Sequence, residues 1–305
     1  MRTRRGATDL SGILAIDKPA GLTSHDVVDR VRRATGERRV GHAGTLDPMA
    51  TGLLVVLIGP ATRLAPYLTS ADKTYEARIV FGAETDTDDA DGRVTRTAPV
   101  PDEAADPFFA AATIAALVGV HEQVPPAYSA IKRGGVTAYE AARKGDALEL
   151  DPRTIEVTSA RLLGVECAGE SAWDVEFGVS KGTYIRALAR DLGRALDGAA
   201  HLGALRRTRS GALALADAST LENVAEAGDV RALFADPLKA LGMPIVTVDD
   251  DTAARVATGA AIPGSIGGSV AVSHDGVLLG VYAGIGGELR PQAIIPGGVA
   301  GGVQR

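Results

Sequence analysis

The residue that the local sequence best equips for chemistry is Asp47, in the segment GTLDPMATG at residues 44–52. Pro48 restricts the preceding backbone to an extended or N-cap conformation, so the carboxylate is held at a fixed turn. A carboxylate held in this way can act as a nucleophile or as a general base. The same features also suit a structural cap, which is the interpretation that these residues favour when they are taken alone.

Other chemistries lack their usual sequence signals. The chain has no GxxxxGK[ST] phosphate loop, and no glycine fingerprint for a dinucleotide opens a predicted helix. Its histidines, at positions 25, 42, 121, 201 and 274, show no pair at metal-ligand spacing, and a single cysteine, Cys167, excludes an internal disulfide. We therefore predict no metal, no cofactor and a reducing compartment.

The elements that must position Asp47 can be predicted on both sides of it. Residues 12–16 form a short apolar strand, and a turn with Pro and Gly follows at 17–21. Thr23 or Ser24 caps a helix that ends at Gly36. After the loop, the unbroken apolar run at 53–58 predicts a central strand that is buried on both faces and anchors the loop rigidly.

The remaining pattern predicts a mixed α/β chain. The periodicity of the apolar residues predicts strands at 74–81, 155–163 and 173–179 and helices at 108–118 and about 184–196. Turn residues predict an exposed excursion at 125–145. Short Val and Ile runs after residue 245 predict a small β domain. The predicted organisation is a flexible arm at 1–10, a main domain at 11–244 with its excursion at about 125–150, and a β domain at 245–305 with a loose end at 297–305.

The composition of the chain limits the kinds of partner that it can bind. The 305 residues are 46% hydrophobic, and no stretch approaches the roughly 20 apolar residues that cross a bilayer. The N-terminus lacks the apolar segment of a signal peptide, so we expect a soluble, cytoplasmic protein without a membrane partner. A net charge of −6 argues against a nucleic-acid partner. Basic runs at 30–39 and 181–209 are nevertheless candidates for one basic face. We expect the acids at 84–91 and 249–251 to solvate loops or to keep the protein soluble.

A family resemblance adds to these observations. The segment GHAGTLDPMATG at 41–52 resembles the signature loop of bacterial tRNA pseudouridine-55 synthases, the TruB family, of the actinobacterial type with a short C-terminal domain. Further segments resemble the family in the right order, namely DKP at 17–19 with GLTS at 21–24, KTY at 73–75, PPAYSAIK at 125–132, residues 139–145, KGTYIR at 181–186 and LRRT at 205–208. Together they span about residues 12–211, which makes coincidence a poor explanation.

The resemblance implies a fold and an activity. The fold is mixed α/β (α+β), with a bent, mainly antiparallel central sheet flanked by helices and a small PUA-like β domain at the C-terminal end. The activity is the conversion of uridine 55 in the T loop of tRNA to pseudouridine by base flipping, without a cofactor, a metal or a guide RNA, by a monomer. Asp47 matches the essential aspartate, and its first contact, as nucleophile or as base at the ribose, stays open.

The resemblance also implies roles for other residues. Tyr75 stacks on the flipped base, Tyr184 lies near the reacting C5, and Arg186 pairs with the catalytic carboxylate. His42 fills the space that the flipped base leaves, and Leu205 lines the pocket. The expected phosphate contacts are Lys18, Arg63, Lys132, Arg143, Lys181, Arg206 and Arg207. Arg63 stands where many relatives have lysine, which keeps the charge and changes the geometry.

Two other classes of function are compatible with parts of this sequence. The first is a non-catalytic tRNA-binding or tRNA-folding protein on the same scaffold, and the intact set of Asp47, Tyr75, Tyr184 and Arg186 argues against it. The second is an unrelated hydrolase that uses Asp47 on a small nucleoside. The basic runs and the excursion argue against the hydrolase, because a small substrate requires neither.

Overall fold

The structure is a computed structural model that describes residues 8–146 and 148–302. It divides into two compact units, one formed by Met1–Ala71 and Arg207–Arg305 and the other by Asp72–Arg206. Residues 1–7 of the predicted arm, Ala147 of the predicted excursion and residues 303–305 of the predicted loose end lie outside the described residues.

The strands are numbered in chain order. They are β1 (Gly12–Lys18), β2 (Val40–His42), β3 (Thr51–Ile58), β4 (Lys73–Phe81), β5 (Ala83–Thr85), β6 (Val94–Thr97), β7 (Gly119–Gln123), β8 (Lys132–Arg133), β9 (Val136–Thr137), β10 (Arg153–Glu166), β11 (Ala172–Val179), β12 (Ala200–Ser210), β13 (Leu213–Ala214), β14 (Ile245–Thr247), β15 (Ile262–Pro263), β16 (Ser269–His274), β17 (Val277–Ile285) and β18 (Glu288–Val299). Every strand that we predicted is present, with bounds that differ by a few residues.

The helices are also numbered in chain order. They are α1 (Ser24–Thr35), α2 (Ala65–Ser70), α3 (Pro107–Ala115), α4 (Ala138–Arg143), α5 (Ile185–Ala195), α6 (Leu221–Glu226), α7 (Pro237–Leu241) and α8 (Asp250–Ala257). Among the described residues, no helix is both long enough and apolar enough to cross a membrane.

In the first unit, β3 follows the loop that carries Asp47, the candidate active-site residue. It pairs antiparallel with β1, from Gly12 opposite Ile58 to Lys18 opposite Gly52, and β2 also pairs with it. Its residues from Gly52 to Ile58 are all buried. This confirms the prediction of a strand that is covered on both faces, which is what its unbroken apolar sequence requires.

Helix α1 confirms its predicted ends. The Thr23 hydroxyl accepts the N–H of Asp26, whose carboxylate accepts the N–H of Thr23, so the helix begins with a capping box. Gly36 ends it in the left-handed region at φ 69°, where glycine is not strained. The buried face consists of Ser24, Val27, Val28 and Val31.

The C-terminal part of the first unit is a second sheet with the strand order β14-β16-β17-β18-β15. Ala271, Leu278 and Ile295 belong to the same hydrophobic cluster as Ile13 and Val55, so this sheet shares a core with β1 and β3. β18 continues to Val299, and the prediction of a loose end is therefore wrong for residues 297–299. Strand pairing and this shared core order them.

The acids at 249–251 also differ from the expectation. They do not solvate a loop, because Asp249 accepts the N–H of Thr252 as the N-cap of α8, and the next two acids lie in its first turn. Negative charge stabilises the N-terminus of a helix through its dipole. A helix start signal of this kind was present in the sequence and was missed.

In the second unit, an antiparallel sheet runs in the order β4-β11-β10-β7. Its core centres on Trp173, which is fully buried between Phe81 and Phe109 and donates its indole N–H to the carbonyl of Ala104 at 2.8 Å. The fold is thus mixed α/β with mainly antiparallel strands and a further β sheet toward the C-terminus, as predicted.

The excursion is more regular than we predicted. It contains the short β8-β9 hairpin and helix α4, whose capping box is formed by Thr137 and Glu140. Lys132, Arg133 and Tyr139 are exposed on it. The irregular composition concealed a helix of six residues that its own cap stabilises.

Candidate active site

Asp47 lies half-buried in the loop between β2 and β3. Its carbonyl accepts the N–H of Ala50 at 3.1 Å. Gly44 and Gly52 flank the turn with φ angles of 100° and 95°, which other residues adopt only with strain. A side chain at Gly52 would also collide with the backbone of Arg207. Position 52 therefore requires glycine for two reasons, its φ angle and the lack of space for a Cβ atom.

The residues on both sides of Asp47 are anchored. The hydroxyl of Ser24, which is buried, accepts the N–H of Leu46 at 2.9 Å and donates to the carbonyl of the same residue at 3.2 Å. On the other side, the carbonyl of Pro48 accepts the N–H of Gly21 at 2.8 Å. The start of α1 and the turn before it therefore hold the Asp47 loop from two directions. Sequence reasoning assigned Ser24 only to the helix cap.

Lys18 is a third anchor. Its side chain is 0% exposed, and the ammonium donates to the carbonyls of Pro19, Leu22 and Pro48 at 3.0, 2.7 and 3.2 Å. Burial lowers the pKa of Lys18 to about 8, and the negative charge of Asp47 opposes that shift. All three donors of the ammonium are used, which is not the arrangement that a surface phosphate contact requires.

Arg207 is also buried, with 1% of its surface exposed. Its guanidinium donates to the carbonyl of Leu53 at 2.6 Å and to the carbonyl of Gly44 at 3.0 Å. These contacts join the start of the Asp47 loop to the strand that follows it. Like Lys18, Arg207 is thus placed to hold the loop, and its burial leaves little surface for a phosphate.

His42 precedes the loop on β2 and is half-buried. Its ring lies edge-on to that of His25, with centroids 5.7 Å apart, and its Nδ1 finds no hydrogen-bond partner among the described residues. Burial lowers the pKa of His42, and the charges of His25 and Arg207 lower it further. The imidazole is therefore neutral at pH 7 and retains a ring nitrogen that a substrate can use.

The second unit carries the aromatic candidates. Tyr75 is buried on β4, directly opposite Phe177 of β11, and Leu205 is buried on β12. Tyr184 is half-buried and forms the N-cap of α5, with extended backbone. The helix therefore begins one residue after Tyr184, so that Tyr184 stands on extended chain while Arg186 stands in the first helical turn.

Arg186 is buried within a network of the second unit. It donates to the carbonyls of Thr87 and Tyr128 at 2.8 and 3.0 Å, and its Nε lies 3.7 Å from the carboxylate of Asp89. The guanidinium is thus oriented by the turn after β5 and by the excursion. Its pairing with Asp47 stays a prediction.

The acidic segment at 84–91 corrects part of a sequence expectation. Glu84, Asp88 and Asp89 are 4%, 8% and 5% exposed, so they do not solvate a loop. Asp88 pairs with Arg190 at 2.8 Å, in a left-handed conformation at φ 61°, and burial raises its pKa against the effect of that arginine. Glu84 pairs with Arg194 at 2.6 Å, and this hydrogen bond lowers its pKa.

These pairs also correct part of the expectation that the basic run at 181–209 contributes to one basic face. Arg186 and Arg190 face inward at i and i+4, where acids neutralise them. A row of arginines at helical spacing and an acidic run elsewhere in the chain were visible in the sequence. Their pairing was not, because nothing local joins the two segments.

The other predicted phosphate contacts are more accessible. Lys132, Arg143 and Lys181 are exposed, and Arg206 is half-buried on β12. Arg143 lies over the ring of Tyr139, 5.8 Å from its centroid. Arg63 is exposed and donates to the carbonyl of Ile294. Within residues 8–146 and 148–302, no group of three His, Cys, Asp or Glu side chains is arranged to hold a metal ion.

Comparison with known proteins defines the class first. The family model described as TruB family pseudouridylate synthase (N terminal domain) matches residues 32–185, and the model for the tRNA pseudouridylate synthase B C-terminal domain matches residues 186–241. These matches and the fold identify a pseudouridine synthase, an isomerase. The chain belongs to the TruB family.

The relatives cover most of the chain. A protein of Thermobifida fusca named tRNA pseudouridine synthase B is 44% identical over 94% of this chain and 99% of its own length. One of Symbiobacterium thermophilum with the same name is 47% identical over 84% of each chain. Among solved structures, the crystal structure of a Cbf5-Nop10-Gar1 complex aligns with a TM-score of 0.72 at 27% identity, covering 93% of this chain and 85% of that chain.

Proposed function

We propose that this protein converts uridine 55 in the T loop of tRNA to pseudouridine. The observation that carries the proposal is the Asp47 loop, which Ser24, Lys18 and Arg207 hold in place and whose aspartate we assign to catalysis. The names of the relatives, tRNA pseudouridine synthase B, support tRNA as the substrate. We assign the activity to residues 11–244 and a small PUA-like domain to residues 245–305.

The reaction breaks the bond between C1′ of the ribose and N1 of uracil and forms one between C1′ and C5. C5 loses its proton and N1 gains one, so the reaction needs neither an oxidant nor an energy source. Asp47 acts at the ribose, either by attack on the nucleoside or by abstraction of a ribose proton. In both versions its carboxylate must be ionised and aimed, which is the role proposed for Arg186.

The uridine reaches the pocket by flipping, which costs a few kcal/mol of unstacking. Stacking on Tyr75 contributes about 1–3 kcal/mol, enough to offset much of that cost. Tyr184 and Leu205 line the pocket near C5, and His42 takes the place of the base in the RNA stack. A neutral imidazole suits this role, because it avoids placing a desolvated charge among bases.

The T stem-loop is bound by exposed and half-buried cations on an otherwise acidic protein. We assign phosphate contacts to Lys132, Arg143, Lys181, Arg206 and Arg63, while Lys18 and Arg207 hold the Asp47 loop through its carbonyls. The protein works as a monomer in the cytoplasm without a guide RNA. Size-exclusion chromatography with light scattering, with and without tRNA, tests the monomer.

The test of the function uses the chain's own repeated triplet. Leu46-Asp47-Pro48 recurs as Leu150-Asp151-Pro152, in which the aspartate is exposed. Wild type, Asp47→Asn and Asp151→Asn are incubated with unmodified tRNA, and pseudouridine is mapped at single-nucleotide resolution. We expect product at position 55 from the wild type and from Asp151→Asn, and none from Asp47→Asn.

Two further arms complete the test. A tRNA with cytidine at position 55 should yield no product at any other position. Binding of tRNA by Asp47→Asn, measured by filter retention, should match that of the wild type, because the carboxylate acts in the reaction more than in binding. Absence of product from the wild type, or product at another uridine, would overturn the proposal.

A further inference from the structure

Tyr184 occupies an unusual position for a residue that must hold a reacting base. It is the N-cap of α5, with φ −103° and ψ 111°, and its own side chain makes no capping hydrogen bond to the helix. The backbone N–H of an N-cap has no partner within the helix. Something outside the helix must therefore fix the backbone of Tyr184, or its ring would not be held in one place.

Gln123, the last residue of β7, supplies that contact. Its side chain is 2% exposed, and its carboxamide makes two reciprocal hydrogen bonds to a single residue. The Oε1 atom accepts the N–H of Tyr184 at 2.9 Å, and the Nε2 atom donates to the carbonyl of Tyr184 at 3.1 Å. That carbonyl also accepts the N–H of Leu188, which begins the helix. The carboxamide thus makes the pair of hydrogen bonds that a neighbouring strand would make to the backbone of an extended residue.

Arg153 holds the ring of the same tyrosine. It is the antiparallel partner of Gln123, directly opposite on β10, so the two side chains leave the sheet on the same face. Its guanidinium carbon lies 5.5 Å from the centroid of the Tyr184 ring. A cation in this position is attracted to the face of the ring and restricts its rotation.

We propose that Gln123 and Arg153 are positioning residues for Tyr184, the first through its backbone and the second through its ring. The proposal rests on the pocket role of Tyr184 in the proposed function. Arg186 follows two residues later on the same chain, so displacement of the Tyr184 backbone also displaces the guanidinium. A shift of about 1 Å in a group that positions the reacting atoms costs on the order of a hundredfold in rate.

The first experiment replaces the amide by an isosteric acid that can be switched. An ionised Gln123→Glu side chain cannot donate to the carbonyl of Tyr184, whereas the protonated acid restores both hydrogen bonds. Burial raises the pKa of such a carboxyl group into an accessible range. We expect single-turnover rates on tRNA that are roughly ten- to a hundredfold below wild type at about pH 8. Relative to wild type at the same pH, the deficit should shrink severalfold by about pH 6.

The matched control lies next to it. Glu122 is exposed on the same strand, and Glu122→Gln exchanges the same two groups in the opposite direction. It should leave the rate and its pH profile unchanged. Gln123→Leu, which has neither hydrogen-bonding group, should be slow at every pH. For all variants the Kd for tRNA should stay within about twofold of wild type, since the effect is on the reaction and not on binding.

The second experiment separates the ring contact from charge. Arg153→Lys keeps a cation that can lie over the ring, whereas Arg153→Met keeps much of the length and loses the charge. We expect Arg153→Met to lower the single-turnover rate about tenfold and Arg153→Lys to recover most of it. A weakened Kd for tRNA with an unchanged rate would make Arg153 a phosphate contact and would overturn its assignment here.

The remaining outcomes decide the role of Gln123. If Gln123→Leu reacts as fast as wild type, or Gln123→Glu follows the wild-type pH profile, the proposal is wrong. Unfolding of both variants, seen by circular dichroism, would also overturn it, because Gln123 would then serve the core and not the pocket. Failure of the proposed function is distinguishable, since the wild type itself would then form no pseudouridine.

Discussion

The ammonium of Lys18 leads to a prediction in which activity and stability change in opposite directions with pH. It is buried, donates to three carbonyls around the Asp47 loop, and has a pKa lowered to about 8 by burial. Asp47 and Asp26 raise that pKa, and Arg207 lowers it. Above this pH the neutral amine keeps only two donors. One anchor of the loop is then lost, so we expect the single-turnover rate to fall as the pH passes about 8.

The free energy of unfolding should instead increase as the pH rises above about 8. In the unfolded chain Lys18 keeps its proton up to its ordinary pKa of 10.5, while in the folded protein it loses the proton near 8. Between these values the unfolded state binds more protons, so folding is favoured as the pH rises. Each pH unit in that interval corresponds to about 1.4 kcal/mol, which makes the full gain on the order of 3 kcal/mol.

The assay compares wild type with Lys18→Met, which cannot titrate. Urea denaturation at several pH values between about 7 and 10 gives the free energy of unfolding of each protein, and their difference removes the contribution of other groups. We expect that difference to shift in favour of wild type as the pH rises. Lys144→Met, at an exposed lysine, is the control and should show no such shift. A constant difference between wild type and Lys18→Met would refute the reasoning.

Three other variants test separate parts of the structure. Ser24→Ala leaves the N–H and carbonyl of Leu46 without their partner, so unfolding should become about 1–3 kcal/mol easier and single turnover slower, whereas wild-type rates would contradict the anchor. Asp88→Asn leaves the buried Arg190 with Asp191 as its charged partner and should make unfolding about 1–3 kcal/mol easier in urea denaturation; a loss below about 0.5 kcal/mol would show that the pair with Asp88 is not needed. Lys132→Gln should reduce the slope of log K against log salt for tRNA binding by about 0.7–0.9, and an unchanged slope would remove Lys132 from the phosphate contacts.

Much of the framework around Asp47 was predictable because its signals are local. Thr23 and Gly36 mark the ends of α1 through capping and left-handed backbone, which are properties of single residues. The apolar run of β3 predicts a strand that is covered on both faces, since no polar residue interrupts it. The ordered family segments then singled out Asp47 as the proposed catalytic residue.

Local sequence could not distinguish Asp47 from its counterpart in the second triplet. Leu-Asp-Pro occurs at 46–48 and at 150–152, and both aspartates have the same restricted backbone. Only the first lies in a loop that Ser24 and Lys18 anchor from other parts of the chain. The difference is tertiary, because these anchors are 22 and 30 residues away from the loop residues to which they are hydrogen-bonded.

The charged residues of α5 show the same division. Spacing along the chain determined that Arg186 and Arg190 share one helix face. Only the folded structure decided that this face is buried, because the turn that carries Asp88 and Asp89, about a hundred residues earlier in the sequence, supplies the opposite charges. Periodicity specifies which side chains point together, and the free energy of burying a charge depends on the partner that another segment brings to it.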